Sequence, residues 1–214
     1  DRDNWMGHTV FGIGLVKQRR HPEALTHLSE ALRINPGPEA HYNLGVVNDE
    51  TGEDEAAIRH YREAIALKPG YVEPHAMLGK LLLERGETDD AVSHLEEALR
   101  IDPDRPQVRA NLAAALGGQG RIGEAVAHYR AAQRLAPGDI GLLNDLGRLL
   151  AANGRDEEAL PAFRSILEID PKSVVARNNL AFTSTCGASC SWRAPLLDDT
   201  DVVLSQDPLF VGPD

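Results

Sequence analysis

The sequence predicts an all-α fold, a solenoid of stacked helix–turn–helix pairs, and two observations carry that expectation. First, leucine recurs at Leu44, Leu78, Leu112, Leu146 and Leu180, each 34 residues after the last. A small residue follows each time: Gly45, Gly79, Ala113, Gly147 and Ala181. Second, the later landmarks of each unit stay in phase. Glycine stands at Gly52, Gly86, Gly120 and Gly154, and alanine at Ala57, Ala91, Ala125 and Ala159. A large apolar side chain follows at Tyr61, Leu95, Tyr129 and Phe163, and proline closes the unit at Pro69, Pro103, Pro137 and Pro171. Self-similarity at a fixed period of this length marks a repeat architecture.

Each landmark has a physical task. The small residue after leucine lets a first helix lie close against its neighbour. The glycine ends that helix, because it enters the left-handed region without steric cost. The alanine and the large apolar residue four positions later share one stripe of a second helix. The proline cannot continue that helix. An earlier unit fits with a 33-residue step through Phe11, Gly12, Ala24, Leu28, Ala31 and Pro36, but carries Arg19 where the others have glycine. Pro161 lies near the start of the fifth second helix and should remove a hydrogen bond there. One helix pair cannot bury its apolar face alone, so neighbours must stack.

These landmarks resemble the tetratricopeptide repeat over about Trp5 to Thr183. The expected organisation is a repeat region over residues 1–183, with repeats at about 5–37, 38–71, 72–105, 106–139 and 140–173 and a sixth first helix at 174–183. An acidic non-repeat tail or cap follows at 184–214. The resemblance implies a right-handed superhelix whose first helices line a concave groove. It also implies that first-helix positions 2, 5, 6, 9, 12 and 13 face that groove, with Pro38, Val72, Pro106, Ile140 and Val174 as position 1.

Position 6 then reads Asn43, Met77, Asn111, Asp145 and Asn179, and position 5 adds Tyr42, Asn144 and Asn178. Asparagine is a mediocre helix former, because its side chain competes for backbone hydrogen bonds. Its recurrence at an inward position is therefore informative. An amide offers donors and an acceptor, matching a peptide unit. Stacked helices lie roughly 8–10 Å apart and an extended peptide advances about 3.3 Å per residue. One rung would thus meet about every third residue of a bound segment and read its backbone. The arrangement resembles the asparagine ladder of the protein O-GlcNAc transferase family and its bacterial relatives, although Met77 and Asp145 interrupt it and the first repeat has Val10. The alternative is that these asparagines only join neighbouring helices.

The charged groove positions are mostly acidic, Glu39, Asp49, Glu50, Glu73, Glu84 and Asp145 against Lys80 and Arg148, so a basic or neutral protein segment is the expected partner. Chaperone-binding members of the family use cations at positions 2 and 6, whereas Glu39, Glu73 and Gln107 occupy position 2 here. Around the fourth repeat Ala110, Ala114, Gly117 and Gly118 leave room for partner side chains.

Composition removes other classes. A net charge of −11 disfavours nucleic acid and anionic lipid. No apolar run approaches the length of a spanning helix, and two cysteines make neither a disulfide framework nor a four-cysteine zinc site. A cytoplasmic location is the resulting expectation. Gly118–Gly123 spells GxGxxG, yet a dinucleotide site needs it between a strand and a helix; here it spans the turn between two predicted helices. Histidine recurs at position 23 as His27, His60, His94 and His128, and at position 4 as His41 and His75. Equivalent positions of stacked helices are too far apart to share one ion, so packing is the reading and neither metal nor cofactor is expected.

The tail holds Cys186, Cys190, Trp192 and further apolar residues suited to covering the end of the stack. Cys190-Ser191-Trp192 is similar to a C-D-W segment that follows the repeats of bacterial glycosyltransferases, but the 22 residues after Trp192 cannot hold a nucleotide-sugar domain. No enzymatic activity is therefore expected. Three functions compete: a scaffold holding an extended peptide, the substrate-recruiting repeats of a glycosyltransferase without its catalytic domain, and a self-associating homo-oligomeric module.

Overall fold

The computed structural model describes residues 4–186, with side chains described through residue 184. All described secondary structure is helical. The first helix of each repeat is α1 Trp5–Lys17, α3 Pro38–Glu50, α5 Val72–Glu84, α7 Pro106–Gly118, α9 Ile140–Ala152 and α11 Val174–Cys186. The second helices are α2 His21–Ile34, α4 Asp54–Leu67, α6 Thr88–Ile101, α8 Ile122–Leu135 and α10 Asp156–Ile169. First helices have 13 residues and second helices 14, as the fixed period demands. The chain divides into two compact units at Gln119/Gly120, the first holding α1–α7 and the second α8–α11.

Within the first unit each helix packs on the next, and the first helices form a row of their own through α1, α3, α5 and α7. Within the second unit α8, α9, α10 and α11 pack in order, and α9 also meets α11. The position after the repeating leucine explains how closely the pairs sit. A Cβ added to Gly45 would lie 2.5 Å from the Tyr61 ring, and at Gly79 or Gly147 it would lie 2.6 Å from Leu95 or Phe163. Gly12 stands in the same relation to Leu28, at 2.7 Å. The landmark alanines at 57, 91 and 159 and the large side chains Tyr61, Leu95 and Phe163 are fully buried. Each such large side chain contributes about 1.5–3 kcal/mol on leaving water.

The turns follow from the same residues. Gly52, Gly86, Gly120 and Gly154 adopt φ of 73–78°. Arg19 takes the equivalent place at φ 57° despite its Cβ. The closing bonds match: the Arg20 N–H reaches the Leu15 carbonyl at 2.9 Å as the Glu53 N–H reaches that of Asn48 at 2.8 Å. Second helices stop before the prolines because a residue preceding proline is pushed towards extended backbone; Asn35 and Asp102 sit at ψ 92° and 99°. Pro161 lies inside α10 without breaking it. The last helix exceeds its expected end at residue 183 and runs to Cys186. Cys190, Trp192 and the proposed cap lie outside the described residues.

Candidate peptide-binding face

In the first unit, position 5 of the second repeat anchors a tyrosine cluster. The Tyr42 ring centroid lies 6.2 Å from that of Tyr61 and 5.5 Å from that of Tyr71. Lys68 Nζ stands 4.7 Å from the Tyr71 centroid. Tyr61 donates its hydroxyl to Asp49 at 3.3 Å. Burial, assisted by the carboxylates of Glu73 and Glu39, pushes the Tyr71 hydroxyl up to about 12. Burial also raises the Asp49 carboxyl, against the pull of Lys80.

The acidic excess read from the sequence is largely answered by cations. Glu39 meets Lys68 at 3.6 Å, Lys80 meets Glu84 at 2.9 Å, and Arg105 Nη2 donates to Glu73 at 2.9 Å while its Nε donates to Asp102 at 2.6 Å. Lys68 and Arg105 come from the linkers before α5 and α7, outside the groove positions, while Lys80 lies on α5 itself, one turn before Glu84. The face is therefore closer to neutral than its list of carboxylates suggests, and a strongly basic partner is not what it demands. Exposed pairs of this kind each contribute little to stability.

The rungs separate into two kinds. Asn43 and Asn111 in the first unit, and Asn178 in the second, are half-buried, and their side chains make no hydrogen bond to described residues. Asn144 and Asn179 are only 5% and 1% exposed. The Asn179 amide donates to Asn144 Oδ1 at 3.3 Å, tying α11 to α9. Both were expected to face a ligand; the structure instead engages them with each other, because position 6 of one first helix meets position 5 of the preceding one. Asp145 and Arg148 both lie within electrostatic reach of the buried Tyr129 hydroxyl, which burial raises strongly. On α1, Val10 occupies the rung position and is 71% exposed beside exposed Phe11.

The tempting motifs resolve simply. Gly118–Gly123 runs from the last residue of α7 into α8, with no strand among the described residues. The histidines are not stacked along the column read from sequence; they pair across it, position 4 with position 23 of the same repeat. That contact had a signal, the constant 19-residue offset of His8–His27, His41–His60 and His75–His94.

Repeated helix pairs with a half-buried polar row on their first helices define a helical-repeat interaction module. The chain belongs to the tetratricopeptide repeat family: models of that description match residues 9–72, 52–116 and 118–180. Members of this family mediate protein–protein interaction. Among solved structures the chain is similar to pilF of Pseudomonas aeruginosa, with 21% identity over 85% of this chain and 90% of that one and a TM-score of 0.73. It is also similar to YrrB, described as a TPR protein with an unusual peptide-binding site, at 20% identity over 80% and 89% and a TM-score of 0.68. MamA from Desulfovibrio magneticus RS-1 matches at 20% identity over 80% and 98%, with a TM-score of 0.73. At these identities the likeness is one of fold. No curated protein matches the chain. No helix among the described residues is long and apolar enough to cross a membrane.

Proposed function

We propose that the chain is a scaffold that holds an extended protein segment along its first helices, reading the segment's backbone rather than its side chains. The observation that carries this reading is the pair of half-buried amides at Asn43 and Asn111, which lack partners among the described residues. A half-buried amide with no bond to the described residues is open to water and free to exchange it for a ligand's polar groups, and an extended peptide supplies donors and acceptors at its backbone. The cluster of Tyr42, next to Asn43 in the chain, with Tyr71 offers apolar contact in that repeat, from a residue type that anchors interfaces. Because Glu39, Glu73 and Glu84 are matched by Lys68, Arg105 and Lys80, the preferred segment is neutral or mildly basic. In the second unit Asn178, Asp145 and Arg148 extend the same function.

Selection of binders from a library of random displayed peptides tests this. Enriched peptides should share little sequence beyond an apolar residue, and should lose affinity when Asn43 and Asn111 are both changed to alanine. Peptides that bind the double variant equally well would overturn the reading.

A further inference from the structure

The linker between α4 and α5 brings an ammonium, an aromatic face and a carboxylate to one place. Its turn runs Lys68-Pro69-Gly70-Tyr71 and is closed by the Tyr71 N–H on the Lys68 carbonyl at 3.0 Å. The two side chains come to one side, so that Lys68 Nζ lies over the Tyr71 ring, 4.7 Å from its centre. The same ammonium reaches the carboxylate of Glu39, at position 2 of α3, at 3.6 Å. Tyr42, three residues on in α3, packs its ring 5.5 Å from that of Tyr71 with the planes at 54°. The residues before the other first helices are Asn4, Gly37, Arg105, Asp139 and Ser173, so the aromatic face belongs to this linker alone among them.

An aromatic face beside a carboxylate attracts a cation, and here the chain's own lysine supplies it. Lys68 holds the place weakly. It and Glu39 are 52% and 56% exposed, and an exposed pair of this kind is worth little. One repeat on, the chain shows what a guanidinium does at the equivalent carboxylate. Arg105 Nη2 donates to Glu73, at position 2 of α5, at 2.9 Å, and its Nε donates to Asp102 at 2.6 Å. An ammonium is a compact, strongly hydrated charge. A guanidinium is planar, less strongly hydrated, stacks on aromatic faces and meets carboxylates through a fork of donors. A guanidinium brought by a partner therefore displaces the Lys68 ammonium, whose flexible stem lets it turn back to water.

The neighbouring charges favour the exchange at Glu39. The carboxylates of Glu73 and Glu39 both act on the Tyr71 hydroxyl, and Glu73 and Arg105 both act on that of Tyr42. Arg105 already engages Glu73 closely, which leaves Glu39 as the carboxylate with the loosely held partner.

We infer that Tyr71, braced by Tyr42, and Glu39 form a seat for one arginine side chain of the bound segment, which Lys68 fills from within the chain. The inference rests on the scaffold reading proposed above and adds one side chain to it. Tyr42 is next to Asn43 in the chain, which puts the seat in the same repeat as the first amide rung. Arginine then joins the apolar residue as a shared feature of selected peptides.

Two probes test the seat. N-acetylarginine amide is too short to follow the groove, so its binding does not depend on the amide rungs. It should shift the ring-proton NMR signals of Tyr71 in the full chain, and the neutral citrulline counterpart should not. The second probe is a pair of blocked alanine–serine decapeptides with one central arginine or citrulline, compared by titration calorimetry. Arginine should bind about fivefold more tightly. Glu39→Gln should remove that preference, and Lys68→Met should raise it about threefold or more. Lys80→Met, which removes the same charge from α5, should leave it near its original value. Asn43→Ala/Asn111→Ala should weaken both peptides equally and keep the ratio, so the rungs and the seat are read separately. Should neither decapeptide bind, the backbone reading falls and the amide probe decides the seat. No Tyr71 shift with that probe, or an arginine preference that survives Glu39→Gln, overturns the seat. So does an equal rise in Lys80→Met and Lys68→Met, which would mark attraction to the net charge alone.

Discussion

The side-chain amide of Asn179 donates to Oδ1 of Asn144 at 3.3 Å, and both groups are almost wholly buried. This bond joins the first helices of successive repeats in the second unit. It makes these two asparagines part of the framework. Asn179→Ala should therefore destabilise the chain by about 1–3 kcal/mol, since Asn144 loses a buried partner. Urea unfolding followed by circular dichroism measures it, and Asn43→Ala should change the same midpoint far less.

Arg19 occupies the left-handed turn that glycine holds in the other repeats, at φ 57° against 73–78°. Arg19→Gly removes a Cβ clash while adding freedom to the unfolded chain. The expected net gain is about 0.5–1 kcal/mol, read as a higher unfolding midpoint.

Gly147 and Gly118 separate close packing from mere helix composition. A Cβ at Gly147 would meet Phe163 at 2.6 Å, whereas one at Gly118 meets nothing within 4 Å. Gly147→Ala should lower stability by about 1–3 kcal/mol through overpacking. Gly118→Ala should raise it by about 0.4–1 kcal/mol, because alanine narrows the unfolded ensemble. Parallel thermal melts of the two variants give both signs.

Burial holds His41, His60 and His94 below the ordinary value of 6.5. The unfolded chain therefore binds these protons at a higher pH than the folded one. Stability is fully present above pH 6.5 and is lost as pH falls from there through the folded values. His60→Gln should flatten that slope in urea titrations repeated across the acid range, while leaving the plateau at higher pH in place.

Much of this architecture is legible in the residues, for reasons that are local. The glycine turns, the prolines closing second helices and the small residue opposite Tyr61 or Phe163 each impose a backbone or packing requirement that no other residue type meets as well. The binding face is less legible, because it depends on which neighbour a polar side chain reaches. Asn43 and Asn179 occupy the same repeat position, yet one is half-buried without a partner among the described residues and the other is bonded to Asn144. Likewise Glu73 reads as a free groove acid until Arg105, 32 residues on, is found beside it. The histidine pairing hid for a similar reason: the meaningful comparison runs between positions 4 and 23, not along either.

A backbone scan of a selected peptide tests whether Asn43 and Asn111 read the backbone of a bound segment. Affinities would be measured for the parent peptide, for alanine substitutions of its side chains, and for N-methylation of single backbone amides. Methylation at two amides about five to six residues apart, the span from α3 across α5 to α7, should weaken binding about tenfold or more each. That loss should vanish when the matching asparagine is alanine, and most side-chain substitutions should be tolerated. Affinity indifferent to N-methylation but dependent on the peptide's side chains would contradict it.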